Sequence, residues 1–175
     1  PYAHQRKAWE LSREKDEFAL FMDMGTGKSK VIIDTIAWLY DKGRIDSALI
    51  VAPKGVYQNW IRNEIPTHLP DHIVTQQAAW YSSPKKDQEK AIKNILTPTH
   101  DLRIFVMNVE AFSTSKGVKF AESFMRCAGK CMMIVDESTT IKSPKASRTK
   151  SIIRIGLQAK YRRILTGEPV TRSPL

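Results

Sequence analysis

Two short segments constrain the fold of this chain most, because each joins a strand-like apolar run to reactive side chains. The first, Asp23-Met24-Gly25-Thr26-Gly27-Lys28-Ser29, follows the apolar run 18–22 and precedes positions 31–39, whose apolar residues recur at helical spacing. The second, Asp136-Glu137, follows the apolar run 132–135. A strand, a glycine-rich turn and a helix, with acidic residues after a later strand, predict an α/β fold that binds a nucleoside triphosphate.

The first segment has the composition of a phosphate-binding turn. Gly25 and Gly27 allow backbone N–H groups to approach phosphates closely, and the following helix adds the positive end of its dipole. Lys28 places a charge on the outer phosphates, and the Ser29 hydroxyl can bind magnesium. Met22 stands where the common pattern has glycine, and a glycine-rich hairpin with an incidental Lys-Ser pair is the alternative. The ATP-binding residues that we predict are Met24, Gly25, Thr26, Gly27, Lys28 and Ser29, with Lys28 also catalytic.

The acidic pair supplies the complementary chemistry. We predict that Asp136 holds Mg²⁺ together with Ser29, and that Glu137 orients and deprotonates the water that attacks the outer phosphorus. Acidic pairs are also common at the start of solvated loops, and this is the alternative interpretation. The presence of the glycine-rich segment earlier in the same chain favours the interpretation that the acidic pair is catalytic.

Composition sets wider limits. A chain of 175 residues is enough for one domain with a substantial core, and no apolar stretch approaches the length that crosses a bilayer. The chain begins at Pro1 without Met, which we interpret as an excised piece of a longer protein. Cys127 and Cys131 lack the spacing and the second pair of a metal site, so we expect reduced thiols in the cytoplasm.

The net charge of +10 is unevenly distributed along the chain. Residues 1–137 contain 19 Lys or Arg against 17 Asp or Glu, whereas residues 138–175 contain nine against one. The basic positions that follow the acidic pair predict a surface for a phosphate backbone, and a solvated basic face is the alternative. This basic segment includes Lys142, Lys145, Arg148, Lys150 and Arg154.

Strand-like and helix-like stretches alternate along the chain. The strand candidates are 18–22, 47–52, 72–75, 103–108, 131–135 and 162–166. The helix candidates are 2–14, 28–40, 56–65, 84–96, 111–127 and 148–156, the fourth starting at Ser83-Pro84. Continuous apolar strands separated by helices predict a mostly parallel sheet with helices on both faces and ligands at the carboxyl ends of the strands. Trp80-Tyr81 is a candidate for a short extra strand, and we expect Trp60 to pack on the sheet.

The order of these segments resembles the first RecA-like domain of superfamily-two helicases, most closely the Swi/Snf-type DNA translocases in short forms like those of bacteriophages. The resemblance covers almost the whole chain, as a single RecA-like P-loop domain over residues 1–175. It is carried by five motifs: Pro1-Tyr2-Ala3-His4-Gln5, Asp23 to Ser29, Leu49 to Lys54 with Asn59-Trp60, Asp136 to Lys142, and Leu165-Thr166-Gly167-Glu168-Pro169. The stretch Val106 to Glu110 corresponds to a further strand-contacting segment.

The resemblance implies specific roles. Gln5 would recognise adenine, Thr166 and Gly167 would couple the ATP site to movement, and the nucleic-acid contacts would include Pro53, Lys54 and Asn108. Two positions depart from the family pattern: Ser138 and Thr139 replace Ala and His after the acidic pair, and Glu168 replaces Thr in the coupling motif. The replaced His normally links the ATP site to the coupling motif.

The resemblance therefore implies an enzyme that hydrolyses Mg-ATP and moves on DNA, with duplex DNA a better candidate than single strands. It implies a second RecA-like domain beyond this chain, a nearly inactive isolated fragment, and no particular oligomer. No membrane association is expected, and a phage-encoded protein would work in the host cytoplasm. The alternatives are a different P-loop enzyme, such as a small-molecule kinase, and a non-catalytic nucleic-acid-binding module with a vestigial nucleotide site.

Overall fold

The computed structural model describes residues 2–141, 143 and 145–167, with the side chains of Thr139 and Thr140 left out. Within these residues, six parallel strands form one sheet in the order β1-β6-β5-β2-β4-β3. The strands are β1 (Glu17–Phe21), β2 (Ser47–Ala52), β3 (Thr75–Ala79), β4 (Leu102–Asn108), β5 (Cys131–Val135) and β6 (Tyr161–Thr166). The prediction of a parallel α/β sheet is therefore confirmed.

Helices connect the strands and lie on both faces of the sheet. They are α1 (Ala3–Ser12), α2 (Lys28–Asp41), α3 (Tyr57–Asn59), α4 (Ile65–His68), α5 (Lys86–Ile95), α6 (Ser115–Cys127) and α7 (Ser147–Gly156). A π-helical turn (Trp60–Glu64) joins α3 to α4, and 3₁₀ turns occupy Val109–Ser113 and Ser138–Ile141. None of the helices described between residues 2 and 167 has the length and apolar character needed to cross a bilayer.

The sheet separates two apolar clusters. Every residue of β2 and β5 is buried, as expected for central strands covered on both sides, whereas β1 and β3 at the edges are only partly buried. One cluster joins the sheet to α1, α2 and the 57–68 helical stretch, and includes Ile36 and Trp60. The other joins the sheet to α5, α6 and α7, and includes Phe124 and Ile155.

The prediction of a strand at residues 72–75 is wrong. The edge strand β3 spans Thr75–Ala79 and shares only Thr75 with the prediction. Ile73 donates its backbone N–H to the Pro70 carbonyl at 3.1 Å, so residues 70–73 form a turn before the strand. The strand itself includes Gln76 and Gln77, because a partly exposed edge strand does not need a continuous apolar run.

Three further boundaries differ from the sequence prediction. The helix expected from Ser83-Pro84 begins at Lys86, where Lys85 donates its backbone N–H to the Gln88 side-chain oxygen at 2.8 Å. The helix expected over 111–127 begins at Ser115, because Thr114 accepts the Gly117 N–H and ends the preceding 3₁₀ turn. Trp80-Tyr81 is not a strand, although the Trp80 N–H donates to the Val106 carbonyl at 2.8 Å.

Because all six strands are parallel, their carboxyl ends meet at one edge of the sheet. The loop after β1 lies at one side of this edge, next to the end of β6 and then to the end of β5. The ends of β2 and β4 follow, and they carry the predicted nucleic-acid contacts. The topology therefore places the predicted ATP residues and the predicted DNA residues side by side along one edge.

Candidate nucleotide site

The glycine-rich loop after β1, residues 22–29, forms a tight turn that leads directly into α2. Gly25 and Gly27 have φ angles of 76° and 83°, in the left-handed region that glycine adopts without a steric cost. The Thr26 hydroxyl donates to the Asp23 carbonyl at 2.6 Å, and the Thr26 N–H donates to the same oxygen at 3.3 Å. The loop is thus closed by its own hydrogen bonds before any ligand binds. The Met24 side chain is 84% exposed.

Helix α1 packs a glutamine against this loop. Gln5 is buried and donates its side-chain amide to the Thr26 carbonyl at 3.0 Å, while its side-chain oxygen accepts the Tyr2 N–H at 3.0 Å. A Cβ atom added at Gly27 would overlap the Gln5 amide nitrogen. The position thus requires glycine both for its backbone angle and for the close approach of Gln5. Gln5 also lines a cavity of about 320 Å³ between α1 and α2, with Trp9 and Trp38.

Lys28, the first residue of α2, is held at the base of the loop. Its Nζ donates to the Met22 carbonyl at 2.9 Å and to the Asp23 carbonyl at 3.2 Å. These neutral acceptors keep the ammonium group beside the loop without cancelling its charge. Ser29 follows on the same first helical turn and is partly buried.

Asp136 lies immediately after β5 and is held from two directions. Its N–H donates to the Val51 carbonyl at 2.7 Å, and its Oδ2 accepts the indole N–H of Trp60 at 3.0 Å. Burial raises the pKa of the Asp136 carboxyl, and the Trp60 hydrogen bond and the charge of Lys28 act in the opposite direction. The neighbouring charge of Glu137 adds to the rise of this pKa.

Glu137 has an unusual backbone conformation. Its φ angle of 49° is the one positive value among the described non-glycine residues. A residue held in this region carries strain of about 1–3 kcal/mol, and such strain is concentrated at functional sites.

The end of β6 lies between these two halves of the site. The Met22 N–H donates to the Thr166 carbonyl at 3.2 Å, which fixes the start of the glycine-rich loop on β6. A Cβ atom added at Gly167 would lie 3.2 Å from Met24 Cγ and 3.7 Å from Lys28 Nζ. The predicted coupling residues Thr166 and Gly167 therefore contact the loop, and Glu168 and Pro169 lie outside the described residues.

The predicted nucleic-acid residues that the structure describes lie further along the same edge. Lys54 and Lys145 are exposed, and Arg148 is partly buried. The Pro53 carbonyl accepts two backbone N–H groups, and Asn108 accepts the Ala111 N–H at 2.8 Å and so caps the following turn. Lys142 lies outside the described residues.

The sequence did not predict two of the contacts within the site. Trp60 was expected to pack on the sheet, and it is indeed buried, but its hydrogen bond to Asp136 was not foreseen. His4 Nε2 lies 3.0 Å from the Thr26 carbonyl oxygen, beside the Gln5 amide. Both residues belong to the segments that carried the family resemblance, but a tertiary contact of this kind has no signature in a single sequence.

Comparisons with known proteins identify the family of this chain. A family model described as the SNF2-related domain matches residues 2–175. The chain is 30% identical over 152 residues to the probable ATP-dependent DNA helicase CHR12 of Arabidopsis thaliana, covering 86% of this chain and 13% of that protein. It is 25% identical over 160 residues to the ATP-dependent helicase FUN30 of Saccharomyces cerevisiae, covering 91% of this chain and 13% of that protein. The chain thus spans a small part of the length of these relatives.

Solved structures share the fold. The SWI2/SNF2 ATPase core of Sulfolobus solfataricus in complex with dsDNA has a TM-score of 0.68 and 20% identity, covering 95% of this chain and 32% of that one. The UvsW helicase from bacteriophage T4 has a TM-score of 0.65 and 15% identity, covering 95% of this chain and 52% of that one. At these identities the similarity establishes the fold, which is the RecA-like α/β fold that the sequence predicted.

Proposed function

Because the chain belongs to the SNF2-related domain family, we propose that it is the ATP-binding motor domain of a DNA-dependent ATPase that moves on duplex DNA. One observation carries this proposal. The loop with Lys28 follows β1 and the acidic pair follows β5, and β6, which ends beside Lys28 at Gly167, lies between these two strands in the sheet. This arrangement supports the proposal that a phosphate-binding loop and a metal anchor form one site.

The residues present fit a nucleoside triphosphate. Gly25 and Gly27 have the backbone angles that turn N–H groups towards a bound anion, and α2 begins at Lys28 with its positive end on the loop. The Lys28 ammonium group is bound to two neutral carbonyls, which it can exchange for phosphate oxygens. The cavity beside Gln5 offers aromatic surface and an amide for an adenine ring.

The donor set also fits a hard divalent cation. The Ser29 hydroxyl and the Asp136 carboxylate would hold Mg²⁺, which prefers oxygen ligands and supplies charge neutralisation for the phosphates. Burial raises the pKa of Asp136, and the Trp60 hydrogen bond and the charge of Lys28 oppose that rise and favour the charged form that binds a metal. Glu137, on its strained turn, would orient the attacking water and accept its proton.

DNA is the proposed partner for reasons of chemistry and position. The exposed Lys54 follows β2, and the basic segment with Lys145 and Arg148 follows β5, so both lie at the edge that holds the nucleotide site. One structure that shares the fold is described as a complex with dsDNA. We further propose that a second RecA-like domain of the longer protein closes over this edge and that the phosphate contacts favour duplex DNA without reading its sequence.

The test is a calorimetric titration with Mg-ATP, followed by an ATPase assay with and without duplex DNA. We expect Lys28→Ala to lower ATP affinity by about 10- to 150-fold, since hydrogen bonds to charged groups contribute about 1.5–3 kcal/mol. Lys30→Ala is the matched control, because Lys30 lies on the same helix but pairs with Asp34 at 2.5 Å. Equal affinities in the wild type and in Lys28→Ala would contradict the assignment of the loop.

A further inference from the structure

Within the described part of the chain, the indole of Trp60 makes one hydrogen bond, and its partner is Asp136. Its Nε1 donates to Asp136 Oδ2 at 3.0 Å, and the side chain is 1% exposed. A buried N–H without a partner would cost about 1–3 kcal/mol, so the bond specifies where the indole sits as well as where the carboxylate sits. A residue that served only to fill the core would not need a donor at this position.

The backbone around Trp60 is built to deliver the indole to this place. The helical stretch from Tyr57 to His68 changes to a π-helical turn over Trp60–Glu64, where the Ile65 N–H bonds the Trp60 carbonyl. Such turns are rare and occur frequently at functional sites, because they shift a side chain away from its regular helical direction. The Asp136 N–H is also bound to Val51, so β2 and the segment after it hold both the backbone and the side chain of Asp136.

We propose that Trp60 is a positioning residue that aims the Asp136 carboxylate at the metal. This inference depends on the proposed function, in which Asp136 holds Mg²⁺. An ionised carboxylate has two oxygens that accept hydrogen bonds or bind a metal, and the bond from the indole to Oδ2 restricts the rotation of the Asp136 carboxylate about its side chain. Partners of this kind fix the geometry of a metal ligand, and their loss typically costs about 10- to 100-fold in metal affinity.

A neutral N–H donor suits this role better than a cation would. A Lys or Arg at position 60 would also bind the carboxylate, but its charge would compete with the metal for the same negative group. The indole holds one oxygen and leaves the charge of Asp136 available. The ring itself is buried in the apolar cluster between the sheet and the 57–68 helical stretch.

The experiment removes the N–H and keeps the ring. Incorporating β-(3-benzothienyl)alanine at position 60 replaces the indole N–H by sulfur with little change of shape, and Trp60→Phe is the genetically encoded counterpart. Mn²⁺ affinity at saturating ADP is measured by electron paramagnetic resonance, and ADP affinity without metal is measured by calorimetry. We expect Mn²⁺ to bind about 10- to 100-fold more weakly in both variants, with metal-free ADP affinity within about twofold of the wild type.

Trp80→Phe is the matched control, because Trp80 is also buried but belongs to the apolar cluster on the other face of the sheet. It should leave Mn²⁺ affinity unchanged. Thermal unfolding of each protein reports whether Trp60→Phe alters the fold. If it does, the Mn²⁺ affinity of the benzothienyl variant tests the role of Trp60.

The outcomes separate this inference from the proposed function. Unchanged Mn²⁺ affinity in a folded benzothienyl variant would overturn the role of Trp60 and leave the proposed function intact. An equal loss of ADP affinity with and without metal would also overturn it, because the effect would then be a general one on the site. A wild-type protein that binds neither ADP nor Mn²⁺ would refute the proposed function and this inference with it.

Discussion

The glycine-rich loop and the basic segment lie at the same edge of the sheet, but they are organised in opposite ways. The loop is held by short hydrogen bonds from Gln5, Thr26 and Lys28 to backbone carbonyls. The basic segment presents exposed or partly buried side chains, such as Lys145 and Arg148, from a turn and the first turn of α7. One region depends on backbone shape, and the other depends on the number and spacing of charges.

This difference predicts different responses to mutation. A binding site formed by the backbone tolerates few changes, because one added methyl group at a close contact displaces several hydrogen bonds together. A charged surface weakens gradually, because each phosphate contact contributes a small and nearly independent share of the affinity. The predictions that follow apply this contrast, starting with the change at the centre of the chemistry.

Glu137→Gln should slow hydrolysis by about a hundredfold to ten-thousandfold while ATP still binds, because the amide keeps the shape of the side chain but cannot accept the proton. Single-turnover release of ADP, with Mg²⁺ and duplex DNA present, measures the rate. Glu89→Gln on the exposed face of α5 is the control and should have no effect. Near-normal turnover in Glu137→Gln would mean that another group positions the water.

Gly27→Ala should destabilise the loop more than Gly43→Ala does, although both glycines have positive φ angles of 83° and 68°. A Cβ atom at Gly43 meets nothing within 4 Å, so Gly43→Ala carries only the backbone cost of about 1–2 kcal/mol. At Gly27 the overlap with Gln5 adds to that cost. Chemical denaturation measures the free energy of unfolding, and calorimetry measures ATP affinity.

The double variant Gln5→Ala with Gly27→Ala sharpens this comparison. Gln5→Ala loses the hydrogen bonds to Tyr2 and Thr26, but it also removes the overlap, so the double variant should be less destabilised than the sum of the two single variants. Destabilisation that is simply additive in the double variant would show that the two side chains do not interact.

The basic segment should give the smallest effect per residue. If Lys142, Lys145, Arg148 and Lys150 each contact a phosphate, replacing all four with Gln should reduce the slope of log affinity against log salt by about 3.6, or about 0.9 per contact. Each contact then corresponds to roughly a 3.5-fold change between 50 and 200 mM salt. Fluorescence anisotropy with duplex DNA measures the slope, and sequences should be affected alike.

The control for that experiment removes charges from the opposite edge of the sheet. Lys15, Lys130 and Lys160 are exposed and precede β1, β5 and β6, so they lie at the amino ends of the strands. Replacing these three with Gln should leave the salt slope unchanged. An equal reduction of the salt slope by both sets of substitutions would show that the basic segment acts only through the net charge of the chain.

The sequence alone determined the features that depend on local residue order. Continuous apolar runs predicted the central strands β2, β4 and β5 nearly to the residue, because burial on both faces leaves no alternative to apolar side chains. Glycines followed by Lys28 and Ser29 predicted the tight turn before α2, and the run 131–135 predicted the buried strand that places Asp136-Glu137 at the same edge. The order of the motifs predicted the family.

The tertiary structure decided the contacts between segments that are distant in sequence. Gln5 contacts Thr26, Trp60 contacts Asp136, and Gly167 packs beside Lys28. Each of these contacts joins residues from different segments of the chain. Arg163 makes further contacts of this kind, since it donates to the carbonyls of Ser12 and Lys15. It is buried, and burial lowers its pKa to about 10. The edge strand β3 was also missed, since its polar side chains satisfy no apolar pattern. Local residue order records the burial and the backbone conformation of each segment, whereas these contacts arise only when parallel strands bring the ends of distant segments to one edge.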